Sequence, residues 1–496
     1  MEISKKIDTL VDYSIRNNFI EKEDEIYSKN TLMDILNLDD LKVFDKVESQ
    51  DNISEILDEI LDYACETNLI QNNVTERDLL DSKIMGSLLP KPSQVTKKFD
   101  EIKTNEGIKA ATAWYYDFSN KSNYIRGDRV AKNKKWITPT KYGDLQITIN
   151  LSKPEKDPKE IAKAKLIKKV SYPKCLLCKE NVGYMGSYTH PGRQNHRIIP
   201  FDFKGDPWNL QYSPYVYYNE HSIIFSSEHR DMRIDRKNIT NLLDFIEQVP
   251  HYFVGSNADL PIVGGSILSH DHFQGGYHKF PMEVAEIIHR VKFEGFEGVE
   301  AGILKWPLSV VRLTGDREEL IDLGNKILTA WREYSDESLH ILAYSENEPH
   351  NTITPLARRV GENYQLDLVL RNNRTTDEHP LGLFHPHSEL HHIKKENIGL
   401  IEVMGLAVLP GRLKSELDSL KEIALEDNFL DLVKNDETLE KHYDWCVIIE
   451  KKLKDGKTTF ETEVGRVFER VLEDAGVFKL NETGVNGLIK FLNTVK

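Results

Sequence analysis

Residues 259–276 read DLPIVGGSILSHDHFQGG, an apolar run that contains two glycine pairs and ends in alternating polar side chains. The apolar run predicts a buried strand, and the glycine pairs predict that its backbone comes close to another group at both ends. If residues 270–274 are extended, His270, His272 and Gln274 point to one face, with successive members about 7 Å apart. The stretch therefore predicts a site at which three polar side chains meet.

These side chains suit chemistry at phosphorus. A neutral imidazole can attack phosphorus and form a phosphoramidate when one ring nitrogen is unprotonated and an acceptor holds the other. The amide of Gln274 offers N–H donors to a non-bridging phosphoryl oxygen. A sugar phosphate, whose second pKa is about 6, leaves without a strong general acid. The absence of an obvious Asp/Glu acid–base pair in the stretch agrees with such a reaction.

The same stretch resembles the active-site motif of the second class of galactose-1-phosphate uridylyltransferases, a bacterial form longer than the common one. Its His-x-His-x-Gln core is more distantly similar to the common form and to the histidine-triad superfamily. The resemblance implies that His272 is the nucleophile that becomes uridylylated and that Gln274 binds the phosphoryl oxygens. It also implies a nucleotidyltransferase of galactose metabolism. The expected reaction is ping-pong transfer of a uridylyl group from UDP-glucose to galactose-1-phosphate, giving UDP-galactose and glucose-1-phosphate.

A pair of cysteines, Cys175 and Cys178, has the spacing of half a tetrahedral zinc site. In the common uridylyltransferases two histidines complete such a site, and the resemblance places them at His229 and His270. Two thiolates and two neutral imidazoles would form a closed, structural site. We therefore expect a structural zinc ion and no organic cofactor. The alternative, in which the cysteines are free thiols and His229 is a surface residue, stays open.

The resemblance also implies contacts to the nucleotide phosphates. Asn257 matches an asparagine with this role, and either Ser266 or Ser269 matches a serine. Arg129 and Lys132, in DRVAK, lie in a segment similar to one that binds phosphate from the neighbouring subunit. The alternative is that these two cations are solvated surface charges. Four further arginines are candidates for neutralising phosphate: Arg193, Arg197, Arg371 and Arg374.

On the hexose side, Glu402 resembles a glutamate that binds sugar hydroxyls. The glutamine that accompanies it in the common form has no clear counterpart here, which puts the galactose/glucose choice in doubt. A second histidine cluster precedes Glu402 and contains His385, His387, His391 and His392. It lacks the glutamine and the glycine pairs of the first motif. Its role is therefore left open between a metal or phosphate site and structural histidines.

Beyond the motifs, the chain predicts an α+β protein. Residues 1–95 read as a helical N-terminal region, because apolar residues recur there at three- and four-residue spacing, as in Ile53, Ile56, Leu57, Ile60, Leu61 and Ala64. A lysine-rich stretch at residues 153–169 predicts a solvated connection. The runs at 215–218 and 222–226 predict strands, and charged amphipathic patterns after residue 412 predict terminal helices.

Two segments share one plan, in which a predicted helix leads to strand and a His-x-His. The helices are expected at residues 238–249 and 316–334, and a strand at 364–370. Together with the resemblance, this plan predicts duplicated histidine-triad-like units with antiparallel sheets and flanking helices. We place the first unit, with the nucleophile and the cysteine pair, at residues 96–305. The second unit and a helical tail are placed at 306–496.

Composition limits the other functions. The net charge of -15 disfavours binding to nucleic acid. No run of about 18 apolar residues predicts a membrane span, and the first twenty residues lack the apolar core of a signal peptide. With only four cysteines, a reducing, cytoplasmic location is expected. The resemblance implies a homodimer. Two alternatives remain: a histidine-triad-like nucleotide phosphorylase or hydrolase, and a zinc-stabilised binding protein without catalysis.

Overall fold

The computed structural model describes residues 2–42, 44, 49–152, 171–265 and 267–495. The chain forms an α+β protein with mainly antiparallel sheets, as predicted. It divides into two compact units: Met1–Lys132, Ser152–Val216 and Glu220–Arg230 form the first, and Asn133–Leu151, Tyr217–Asn219 and Asp231–Lys496 form the second. The predicted lysine-rich connection at 153–169 and the candidate Ser266 lie outside the described residues.

The first unit begins with helices, as the apolar spacing predicts. They are α1 (Glu2–Arg16), α2 (Glu25–Ile35), α3 (Ile53–Glu66), α4 (Val74–Leu88), α5 (Pro92–Glu106), α6 (Ile108–Lys121) and the short α7 (Gly127–Val130). Every member of the predicted stripe in α3 is buried: Ile53, Ile56, Leu57, Ile60, Leu61 and Ala64. Helix α4 begins after Asn73, whose side chain accepts from the backbone N–H of Glu76 at 2.9 Å and so caps the helix.

The strands follow in both units. In chain order they are β1 (Lys134–Thr140), β2 (Gly143–Ile149), β3 (Ile199–Phe203), β4 (Asp206–Tyr212), β5 (Ser222–Ser226), β6 (Phe253–Gly255), β7 (His272–Gly276), β8 (Ile287–Val291), β9 (Glu300–Leu304), β10 (Val310–Gly315), β11 (Tyr344–Ser345), β12 (Glu348–Pro349), β13 (Asn351–Val360), β14 (Asn363–Asn372) and β15 (Leu406–Leu409). In the first unit, β3, β4 and β5 pair antiparallel, with Leu210 between Ile199 and Ile224.

One of the two strands predicted at residues 215–226 is wrong. The β-rich run at 215–218 lies in turns, whereas the neighbouring run at 222–226 forms β5 as predicted. The side chain of Ser213 accepts from the backbone N–H of Tyr215 at 3.3 Å, and Pro214 between them has no N–H to donate to a sheet. Local turn chemistry therefore overrides the strand propensity of the tyrosines.

The second unit contains the larger sheet of interest, with strand order β7-β6-β13-β14-β10-β9-β8 and antiparallel neighbours throughout. Helices α8 (Arg236–Gln248) and α9 (Arg317–Arg332) lie where the sequence predicts them, and both contact β13. Their apolar faces are buried, including Phe245 of α8 and Trp331 of α9. The predicted strand at 364–370 forms the centre of β14. Each helix thus precedes strands and a His-x-His, an order consistent with duplicated units.

A smaller sheet of the second unit has the order β1-β2-β15, in which β2 and β15 run parallel. The C-terminal segment is helical, as predicted, with α10 (Leu400–Val403), α11 (Arg412–Ile423), α12 (Phe429–Asn435), α13 (Tyr443–Lys454), α14 (Phe460–Ala475) and α15 (Glu482–Leu492). Trp306 connects this core to α10 by donating its indole N–H to the Val403 carbonyl at 2.9 Å. In the described part of the chain, no helix has both the length and the apolar character of a membrane span.

Candidate active site and metal centre

In the described residues 259–265 and 267–271, the segment before His272 contains turns and bends, not the predicted buried strand. Strand β7 begins only at His272. Upstream, Ile262 has a φ of 71° and lies in a turn. A Cβ at Gly264 would lie 2.5 Å from the Ala258 carbonyl oxygen, so the chain folds back on itself at a point that only glycine allows. The apolar composition suggested a strand, but this close approach requires a turn.

The His272 ring is held in one orientation. Its Nδ1 lies 2.7 Å from the His270 carbonyl oxygen. Because a carbonyl only accepts hydrogen bonds, Nδ1 carries the proton and Nε2 keeps its lone pair. Burial lowers the pKa of His272 to about 4, although the bond to the carbonyl opposes this effect. The ring is therefore neutral near pH 7, as a nitrogen nucleophile must be.

Gln274 lies two residues further along β7, so its side chain points to the same face as that of His272. Strand β7 is fixed by its pairing with β6, in which Gly255 is opposite Gln274. The Tyr218 hydroxyl donates to the Gly275 carbonyl at 3.1 Å and adds a further restraint on the same strand. The geometry therefore places the Gln274 amide on the same face of β7 as the His272 imidazole.

Asn257, two residues after β6, is buried and has a fixed side-chain amide. Its Oδ1 accepts from the backbone N–H of Leu400 at 2.9 Å. Its Nδ2 lies beside Gly265, where a Cβ would come within 2.7 Å. The oxygen is thereby occupied, and the NH2 group is the end of the amide that is left to donate. The first glycine pair of the motif makes room for this amide.

Glu402 lies in α10 and is 9% exposed. This helix begins at Leu400, whose backbone N–H donates to Asn257. Its Oε1 accepts from Lys394 Nζ at 3.0 Å, and its Oε2 accepts from the backbone N–H of Gly399 at 3.2 Å. A carboxylate has about four lone-pair sites, so two remain for donors such as sugar hydroxyls. Lys394 was not singled out from the sequence, where it begins the charged run Lys394-Lys395-Glu396. Its side chain is 4% exposed.

Three of the predicted metal ligands, Cys175, Cys178 and His229, come together. In the first unit, the Sγ atoms of Cys175 and Cys178 are 3.5 Å apart, and Cys178 Sγ is 3.2 Å from His229 Nδ1. Two thiolates on tetrahedral zinc at about 2.3 Å stand about 3.8 Å apart, whereas a disulfide requires about 2.05 Å. His270, the fourth predicted ligand, is a buried residue of the second unit. The donor set is compatible with a structural metal.

The remaining predicted phosphate contacts have different surroundings. Ser269 is exposed in the bend before β7, and Lys132 is exposed after α7. Arg129 is not a free cation, since Nη1 and Nη2 donate to the two carboxylate oxygens of Asp78 at 3.0 and 2.5 Å. Arg129 therefore has its own carboxylate partner, a feature that the sequence did not indicate.

The additional arginines are mostly occupied by backbone oxygens. Arg197 donates to the carbonyls of Pro90, Gln194 and His196 at 2.8 to 2.9 Å, and burial lowers its pKa to about 10. Arg374 donates to the His340 carbonyl at 2.8 Å. Arg193 lies over the Tyr124 ring, with 5.4 Å from its Cζ to the ring centroid. Arg371 is fully buried in β14.

The second histidine cluster is hydrogen-bonded within the second unit. His385 and His391 contact the Pro386 carbonyl at 3.2 and 2.8 Å, and His387 contacts the Leu383 carbonyl at 3.2 Å. His392 Nδ1 lies 2.9 Å from His442 Nδ1. These bonds are those of structural histidines. His387, Glu389 and Asp474 also bring three ligand atoms within 4.8 Å of one another, a group that fits the metal-site alternative.

Comparison with known proteins covers nearly the whole chain. Residues 18–231 match the family described as "Galactose-1-phosphate uridyl transferase, N-terminal domain", and residues 245–446 match its C-terminal domain. Two proteins named galactose-1-phosphate uridylyltransferase are each 52% identical to this chain. The match to the protein from Fusobacterium nucleatum covers 100% of this chain and 99% of the relative, and the match to the protein from Clostridium acetobutylicum covers 99% of both. A relative of the same name from Caldanaerobacter subterraneus is 53% identical over 98% of this chain and 97% of its own. The chain belongs to the galactose-1-phosphate uridyl transferase family.

Proposed function

We propose that this chain transfers a uridylyl group from UDP-glucose to galactose-1-phosphate through a covalent intermediate on His272. The observation that carries the proposal is the hydrogen bond from His272 Nδ1 to the His270 carbonyl, which leaves a neutral ring with a free Nε2. The relatives' printed name, galactose-1-phosphate uridylyltransferase, supports uridylyl transfer with galactose-1-phosphate as a substrate.

In the first half-reaction, His272 Nε2 attacks the α-phosphorus of UDP-glucose. An N–P bond forms, and the P–O bond to glucose-1-phosphate breaks. The leaving group departs as a phosphate monoester, whose second pKa of about 6 makes protonation unnecessary. The positive charge that develops on the ring is stabilised because Nδ1–H already donates to the His270 carbonyl. In the second half-reaction, a phosphate oxygen of galactose-1-phosphate attacks the same phosphorus, and Nε2 leaves.

The neighbouring side chains have roles in binding and in charge stabilisation. Gln274 shares the face of His272, and its amide N–H groups are assigned to a non-bridging phosphoryl oxygen. The free NH2 of Asn257 is assigned to the nucleotide phosphates, since its oxygen is held by Leu400. The unused lone pairs of Glu402 are assigned to hexose hydroxyls. These three residues position the substrate, and none of them is required to move a proton.

A structural zinc ion held by Cys175, Cys178, His229 and His270 belongs to the proposal. Bound there, zinc would supply no chemistry to the transfer but would fix His270, whose carbonyl orients the nucleophile. The phosphate contacts of Ser266, Ser269, Arg129 and Lys132, homodimeric assembly and a cytoplasmic location are further parts of the proposal. They follow from the resemblance and from the cysteine content.

Isotope exchange tests the ping-pong route. The enzyme is mixed with UDP-glucose and labelled glucose-1-phosphate, with galactose-1-phosphate left out. A covalent intermediate predicts that label enters UDP-glucose, and that His272→Gln abolishes this exchange. Turnover of the complete mixture without partial exchange would refute the route. Release of the nucleotide to water or inorganic phosphate, with no acceleration by hexose phosphate, would instead favour a hydrolase or phosphorylase.

A further inference from the structure

A buried arginine contacts the segment that leads into α10 and hydrogen-bonds both Asn257 and Glu402. Arg371, in β14, is 1% exposed. Its Nη2 donates to the Ile398 carbonyl at 3.0 Å, and its Nη1 lies 3.4 Å from the Thr354 hydroxyl. Its Nε is buried and has no hydrogen-bond partner in the described part of the chain.

Packing alone does not account for an arginine at this position. Among the described residues, no carboxylate forms an ion pair with the Arg371 guanidinium. Burying an ion without a paired partner destabilises a fold, and apolar side chains of similar volume are often neutral or stabilising in its place. Burial lowers the pKa of Arg371 to about 10, and the field of the Glu402 carboxylate opposes that effect. The cation is therefore retained at a cost in stability.

Three consecutive residues connect this cation to the proposed substrate contacts. The carbonyl of Ile398 accepts from Arg371 at 3.0 Å. The backbone N–H of Gly399 donates to Glu402 Oε2 at 3.2 Å, and the backbone N–H of Leu400 donates to Asn257 Oδ1 at 2.9 Å. A shift of this segment would therefore break the Leu400 bond to Asn257 and the Gly399 bond to Glu402 together.

We propose that Arg371 is a positioning residue for uridylyl transfer. Its guanidinium fixes the segment at residues 398–400, which leads into α10, and this segment fixes the Asn257 amide on the phosphate side and the Glu402 carboxylate on the hexose side. Arg371 itself does not contact the substrate. The inference rests on the proposed function, because only there are Asn257 and Glu402 substrate contacts.

A double-mutant cycle on kcat/KM for UDP-glucose tests this role. Loss of one donor to a developing oxyanion costs about 100-fold or more, which we expect for Asn257→Ala in the parent enzyme. Arg371→Met is expected to lower kcat/KM about tenfold or more by misplacing the amide. In the Arg371→Met background, Asn257→Ala should then cost less than about tenfold, because the amide is already out of position. Additive effects, as a merely structural role predicts, would overturn the proposal.

Arg197→Met provides the matched control, since Arg197 is also buried and also donates to backbone carbonyls. Its cycle with Asn257→Ala should be additive, and coupling as large as that of Arg371 would overturn the specific link. If Arg371→Met does not fold, Arg371→Lys, which keeps the charge but loses the two-armed contact, replaces it under the same criterion.

The isotope exchange of the parent enzyme separates the two levels of the argument. Exchange by the parent together with an additive Arg371 cycle would overturn the positioning role and leave the uridylyl-transfer proposal standing. Absence of exchange in the parent would refute the proposed function, and the positioning role would fall with it.

Discussion

Replacing Gly265 by alanine places a methyl group against the amide of Asn257. The new Cβ would lie 2.7 Å from Asn257 Nδ2 and 3.0 Å from its Cγ. Gly265 has no left-handed φ, so the alanine backbone itself is not strained. The perturbation therefore acts through the contact with Asn257 and not through the local conformation.

The magnitude follows from the distances. To restore an ordinary contact of 3.4 Å from 2.7 Å, the amide must retreat by about 0.7 Å. The bond from the Leu400 N–H to Oδ1, now 2.9 Å, would then lengthen beyond useful range. An unsatisfied buried N–H costs about 1–3 kcal/mol of unfolding free energy. A displacement approaching 1 Å at a substrate contact costs up to about 100-fold in rate, so we expect a 10- to 100-fold loss of kcat/KM.

Steady-state kinetics and denaturant unfolding measure the two effects separately. Gly127→Ala is the control, because a Cβ there meets nothing within 4 Å. It should change neither quantity appreciably. If Gly265→Ala keeps kcat/KM within twofold of the parent enzyme, the Asn257 amide is not positioned as argued, and the reasoning about the first glycine pair fails.

Three further outcomes are expected. Gln274→Ala should lower kcat by roughly 100- to 1000-fold in steady-state assays while leaving the unfolding transition unchanged, and a loss under threefold would contradict its role. Cys178→Ser should remove most of the bound zinc in elemental analysis and lower the melting temperature, whereas Cys65→Ser, outside the ligand group, should do neither. Hydrogen bonds from His442 and Lys441 lower the pKa of Glu416 to about 2 against the opposing effect of burial. A carboxyl whose pKa is lowered on folding stabilises the fold above its unfolded pKa of about 4.3. The unfolding free energies of the parent and Glu416→Gln should therefore differ by about 1–3 kcal/mol at pH 7 and by less at pH 3 in denaturant unfolding. An equal difference at both pH values would contradict this.

Local patterns in the sequence were sufficient for part of this structure. The helices α8 and α9 and the strand β14 follow from spacing within a dozen residues, which is where periodicity operates. The cysteine pair and the His-x-His-x-Gln motif are also local, so their candidate roles could be stated before the fold was known. The turn at Ile262 could not, because a branched residue at a φ of 71° is disfavoured locally and is imposed by the surrounding structure.

The supporting contacts of the site could not be predicted for a different reason. The hydrogen bond between Leu400 and Asn257 spans 143 residues of sequence, and no pattern relates the two positions. Lys394 is followed by a second lysine and a glutamate, a run typical of a solvated surface. In the fold its side chain is 4% exposed and donates to Glu402. Pairing of Arg129 with Asp78 depends in the same way on how distant helices pack.

The most direct test of the central claim is the intact mass of the pure enzyme after mixing with UDP-glucose alone, followed by peptide mapping. The account predicts a uridylyl adduct on His272 that is stable to base and labile to acid, as a phosphoramidate is, and that disappears when galactose-1-phosphate is added. The control is His272→Gln, which should gain no mass. An enzyme that turns over both substrates but carries no adduct, or carries it on another residue, would contradict the assignment of His272 as the nucleophile.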